Sequence, residues 1–95
     1  MKLIAPRVHL NGTSKNELLE QLITVGASLR QTMTHLRDAS PHARDYYVIN
    51  SNAYTRARSE FEDRYARVKS VYAEIVAIAE AIQTNEIETE EIDNG

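Results

Sequence analysis

Apolar residues recur at Phe61, Tyr65, Val68, Tyr72, Ile75, Ala79 and Ile82, with spacings that alternate four and three without a break. That alternation draws one apolar seam along one side of a long helix. A second apolar face runs through Leu18, Leu19, Leu22, Val25, Leu29, Met33 and Leu36, again at helical spacing. Ser14 reads as the N-cap of this first helix, and Glu17 completes a capping box. In that motif the Ser hydroxyl takes the N3 amide while the Glu reaches back to the cap amide. The first helix is predicted from Lys15 to Ala39, where Ser40-Pro41 ends it. Asn50 or Ser51 can cap the second, which is predicted to run to Thr84. Residues 1–13 read as extended, because Pro6 disfavours helix and Asn11-Gly12 signals a turn.

The predicted fold is all-α: an antiparallel two-helix hairpin with an extended N-terminal segment. Residues 1–84 form the hairpin domain and residues 85–95 an acidic flexible tail. At helical rise the second helix spans roughly 50 Å against roughly 37 Å for the first. About 13 Å of seam then needs cover from the N-terminal segment or from another copy of the chain. The hairpin is therefore expected to assemble as a homo-oligomeric helical bundle.

Composition sharpens this picture. A chain of 95 residues makes one domain with a modest core, so self-association would help it. The single Phe, absent Trp and three Gly suit a helical protein better than a sandwich or barrel. There is no Cys, which excludes disulfides and thiolate metal sites. No apolar run approaches the roughly 18 residues of a membrane span, and Met1–Arg7 is too soon broken to be a secretion signal. The reading is a cytoplasmic protein without a membrane partner.

The net charge of −3 hides an asymmetry. Glu86, Glu88, Glu90, Glu91 and Asp93 sit together with no base among them. Setting those five aside leaves nine of the fourteen acids against eleven bases, a body of about +2. Arg56, Arg58, Arg64, Arg67 and Lys69 make the second helix basic in its first half, but Glu60, Glu62, Asp63 and Glu74 are interleaved with them. That pattern reads as a salt-bridged solvated face and gives DNA binding little support.

Two stretches carry candidate binding chemistry. In the connector over residues 40–50, Tyr46 and Tyr47 offer flat faces and hydroxyls, Arg44 offers a planar fork suited to phosphate, and Asp45 stands beside it. The competing reading has the two Tyr rings plugging the end of the hairpin while Arg44 and Asp45 pair. The second stretch surrounds the start of the first helix, where free amides and the helix dipole favour an anion. Asn11, Thr13, Ser14 and Lys15 add donors there, with Arg7 and His9 just upstream. It is not a phosphate-binding P-loop, since the Gly-rich spacing is missing. The competing reading is ordinary capping by Ser14, with Val8 and Leu10 packed on the helix. The two stretches lie at opposite ends of the first helix, so a shared site requires two subunits. Gly26 inside the first helix is expected to allow close helix contact. His9, His35 and His42 lack metal-ligand spacing, so no metal is assigned, and no cofactor is implied. No Ser-His-acid set, Cys nucleophile or paired carboxylate speaks for an enzyme.

Val8-His9-Leu10-Asn11-Gly12-Thr13-Ser14 and Arg44-Asp45-Tyr46-Tyr47 together resemble, in order and separation, small helical-hairpin proteins encoded in tailed-phage genomes. The likeness covers most of residues 7–84. A Pro often follows the two Tyr in that group, whereas Val48 follows here. By size and helical build the chain is also similar to phage sponge proteins that sequester cyclic nucleotide signals of bacterial immunity. Those are helical oligomers with ligand pockets between subunits. The placement of phosphate-suited and stacking residues at the ends of an oligomerising hairpin, beside that likeness in build, leads to the expectation of a phage-encoded anti-defence sponge in the host cytoplasm that binds a small phosphorylated nucleotide (a cyclic oligonucleotide or cyclic ADP-ribose type) without cleaving it. Arg44 and Lys15 would meet phosphate, Tyr46 and Tyr47 would stack on a base, and Asn11 and Thr13 would donate hydrogen bonds. The alternative is an oligomeric protein-interaction module, either a phage structural component or an inhibitor of a host protein.

Overall fold

In a computed structural model the chain is all-helical, with no strand among the described residues. The structure describes residues 3–94, with side chains through residue 84. Helix α1 is Lys15–Asp38, a single 3-10 turn follows at Ala43–Asp45, and helix α2 is Ala53–Asn94.

Local chemistry accounts for the ends of α1. The Ser14 hydroxyl accepts the Glu17 N–H at 3.2 Å, so the predicted cap is in place. Ser14→Ala is expected to cost about 1 kcal/mol, read as a lower midpoint in chemical denaturation. At the other end, the Ala39 N–H donates back to the His35 and Leu36 carbonyls, and Pro41 prevents continuation. His35 and Arg37 place basic groups in the last turn, where the helix dipole favours them. Exposed Thr24, Thr32 and Thr34 in α1 donate their hydroxyls to carbonyls four residues back.

Helix α2 begins at Ala53, after the Asn50 side-chain oxygen accepts the Asn52 N–H at 2.9 Å. It continues past the Thr84 boundary that the apolar pattern predicts, to Asn94. Neither Gly nor Pro stands between those positions to stop it. What the acids of residues 86–93 touch lies outside the residues with described side chains.

The helices meet along the predicted seam. Gly26 faces Tyr72, and the Arg37 guanidinium sits 5.6 Å over the Tyr65 ring. Leu19 and Gln83 line the same groove further along. The contact register therefore falls along α1 as it rises along α2. By rise, α2 at 42 residues is roughly 63 Å long and α1 at 24 residues roughly 36 Å. The chain measures 68 × 22 × 16 Å, with a radius of gyration of 19.9 Å. A compact domain of this length would have about 12 Å.

So elongated a pair of helices encloses little. Ile82, at 0% exposure, is the buried hydrophobic residue among those described, and Gly26 is the other buried position. The remaining α2 seam residues, Phe61 to Ala79, are half-buried. Two helices in one layer shield their line of contact and leave both flanks wet. Val25, counted in the apolar face, lies on such a flank and is exposed. Among the described residues no helix is long and apolar enough to cross a membrane.

Gly26 departs from its expected role. A Cβ built there meets Tyr72 Cε1 at 3.8 Å, an ordinary van der Waals contact. The helix pair does not need the missing methyl, and Gly26 carries only the helix-propensity cost. Gly26→Ala is expected to stabilise the protein by about 1 kcal/mol, a rise of roughly 5 °C in Tm by calorimetry.

Candidate functional site

The two predicted clusters stand apart. Arg7, His9, Asn11, Thr13 and Ser14 are exposed ahead of α1, and Lys15 is half-buried at its first turn. Arg44, Asp45 and Tyr47 are exposed beyond its other end. One α1 length, roughly 36 Å, separates them, so a single chain does not bring them to one ligand.

Within the N-terminal cluster the backbone turns at residues 9–12, where the Gly12 N–H donates to the His9 carbonyl at 3.1 Å. The His9 ring folds over this turn. A Cβ on Gly12 would lie 2.6 Å from His9 Nε2, so the glycine makes room for the imidazole. The Ser14 oxygen is engaged in the cap, as the competing reading required. Val8 is half-buried, but Leu10 is 98% exposed and does not pack on the helix.

The connector is compact. Tyr46 N–H and Tyr47 N–H both donate to the Ala43 carbonyl at 3.0 Å, and Ile49 N–H donates to the Tyr46 carbonyl at 2.9 Å. Tyr46 is half-buried with its ring 6.4 Å from that of Tyr54, tilted by 52°. Tyr47 instead points away at 70% exposure, followed by Val48 at 72% and Ile49. The two tyrosines thus divide the roles proposed for them: one packs on α2 and one is free to stack. The described ion pairs are Arg58–Glu62 and Arg67–Asp63 at 3.1 and 3.0 Å, and Arg44–Asp45 is not among them. Both described pairs are exposed i,i+4 contacts, screened by solvent and of little weight for stability. A hydrogen bond from the guanidinium to the Tyr54 hydroxyl, and a second to Glu62, raise Arg58 above its ordinary pKa.

A third feature escapes a one-dimensional reading. A groove runs along one side of the helix pair. Towards Gln83 its walls are apolar, with Leu19, Ile23, Val76 and Ala79 around ≈ 440 Å³. Further along it is lined by Arg30, Arg37, Lys69, Tyr65 and Tyr72 around ≈ 610 Å³. A faint signal for it exists in the sequence. Ile23, Arg30 and Arg37 recur every seven residues on α1, and Glu62, Lys69, Val76 and Gln83 do so on α2. Two such stripes can flank one seam, but only a known register between the helices sets them opposite each other.

Nothing in this arrangement resembles a nucleophile with its base. Among the described residues no group of three or more His, Asp or Glu side chains could hold a metal ion. The arrangement suits binding: flat rings, guanidinium forks and open apolar walls. The chain matches no family model, no curated protein and no solved structure.

Proposed function

We propose that the chain is a non-catalytic binding protein, a helical hairpin that assembles with copies of itself and sequesters a small phosphorylated nucleotide signal. On this reading it is a phage-encoded sponge of host defence, with the ligand held where subunits join. The observation that carries it is the near absence of an enclosed core beside exposed phosphate-suited and stacking groups at both ends of α1. A lone pair of helices leaves its flanks wet, and oligomerisation covers them. In an antiparallel assembly the start of one α1 meets the connector of its neighbour. Arg44 and Lys15 then face phosphate, Tyr47 stacks on a base, and Asn11 and Thr13 donate hydrogen bonds. Arg7, His9, Ser14, Asp45 and Tyr46 complete the walls. Isothermal titration against cyclic di- and trinucleotides and cyclic ADP-ribose isomers tests this. Heat with one of them, and recovery of that ligand intact after denaturation, is the expected result. Silence across the panel ends the proposal.

A second reading has its own observation. Tyr47, Val48 and Ile49 form an exposed apolar run at the end of the helix pair, and such a run suits a protein partner. On that reading the chain is an oligomeric interaction module, a phage structural component or an inhibitor of a host protein. A stoichiometric protein recovered from host lysate by the wild type, and lost on Val48→Asp, would favour it over the sponge.

A further inference from the structure

We infer that the basic stretch of the interhelical groove is an anion site contained within one chain, built for a ligand carrying two separated phosphate groups. The site goes beyond the subunit-junction reading, uses none of its residues and stands whether or not that reading holds. The residues lining this stretch include three bases, Arg30, Arg37 and Lys69, and no acid. Outside residues 86–93 the chain carries about +2, and three of its eleven bases gather in this stretch. None of the three bases takes part in a described ion pair. Of the acids lining the adjoining stretches, Glu62 is engaged by Arg58 at 3.1 Å and Glu80 stands towards Gln83 in the apolar part of the groove. Three cations outside the described ion pairs, lining one groove, attract a polyanion more than a single charge.

The geometry sets the ligand's shape. Contacts of Gly26 with Tyr72 and of Arg37 with Tyr65 bracket Lys69, which therefore stands across the groove from Arg30. One phosphate fits between those two side chains. Arg37 lies seven residues further along α1, roughly 10 Å by rise, with its guanidinium over the Tyr65 ring. It meets the second phosphate while the ring limits its freedom. Tyr72, half-buried opposite Gly26, forms an aromatic wall at the end of the stretch beyond Arg30. Gln31 and Thr34 add neutral donors. The volume, ≈ 610 Å³, falls in the range of small-molecule sites.

The test uses the full chain and adenosine 3′,5′-bisphosphate as probe, with adenosine 5′-monophosphate for comparison, in low-salt buffer. Calorimetric titration should show the bisphosphate binding at least about tenfold more tightly than the monophosphate, and weakening as salt is raised. Arg30→Gln and Lys69→Gln should each weaken the bisphosphate roughly tenfold, as expected for loss of one charged hydrogen-bond partner. Arg56→Gln, a base outside the groove, should change it less than about twofold. The three side chains replaced are exposed, and circular dichroism checks that helicity is unchanged. No binding of the bisphosphate by the wild type would overturn the inference. So would equal affinity for the two probes, or an Arg56→Gln effect as large as that of Arg30→Gln. A sponge that fails its own panel leaves these results untouched, since neither probe is a cyclic signal.

Discussion

Ile82→Ala is expected to destabilise the protein by about 2–5 kcal/mol, a large fraction of the stability of a domain this size. Ile82 is the buried hydrophobic residue among those described, at 0% exposure. Removing its side chain loses the transfer energy of three methyl or methylene groups and leaves a hole. Domains of this size have little stability in reserve. Far-UV circular dichroism with urea titration reads the effect directly. The same truncation at a half-buried seam position such as Val68→Ala should cost less, because water already reaches that side chain. Equal losses at both positions would mean that Ile82 is no more central than its neighbours.

Dilution should melt the protein earlier. If copies cover the flanks, folding is linked to association, and Tm depends on concentration. A hundredfold dilution, from about 100 µM to about 1 µM, removes about 2–3 kcal/mol of apparent stability, a fall of roughly 10 °C or more in Tm. A monomer would melt at the same temperature at both concentrations. The flank involved can be located. Val25 precedes Gly26 by one residue and Ala27 follows it by one, so helical geometry sends the two to opposite flanks of the seam. Ala27 lines the groove, and Val25 faces the other side. Val71 stands in the same relation to Tyr72 and is exposed there too. Leu18 and Leu36 continue that stripe on α1 and are half-buried. A charge in its middle, Val25→Glu or Val71→Glu, should abolish the concentration dependence while barely touching the contact between α1 and α2. Light scattering showing a single 10.8 kDa particle at every concentration for the wild type would remove the basis for assembly.

Both predictions start from a seam that is plain in the amino-acid sequence. The four-three spacing of Phe61 to Ile82, the Ser14 cap and the Pro41 stop are relations among residues within a few turns of one another. Such relations translate into helix with few alternatives, because capping bonds and i,i+4 contacts close locally. The second boundary is less legible. Helix α2 passes the end of the apolar seam at residue 84, since acidic residues without Gly or Pro carry no stop signal of their own. The connector is partly legible. Tyr46 and Tyr47 stand next to each other in sequence, yet the tight bonds to the Ala43 carbonyl turn one ring towards Tyr54 and leave the other in solvent. Leu10 shows the limit from the other side: its apolar character suggests packing, but it stands in solvent at 98% exposure.

The sequence alone determined the helical class, the cap and stop of α1, and which face of each helix is apolar, because those follow from a period of 3.6 and from bonds a few residues long. Only the tertiary structure decided which residues of α1 stand opposite which residues of α2. The interhelical register depends on the connector's path and on side-chain fit across the seam, so it is a long-range quantity that no short window contains. Through that register Arg30, Arg37 and Lys69, distant in the chain and scattered among many other charges, line one groove.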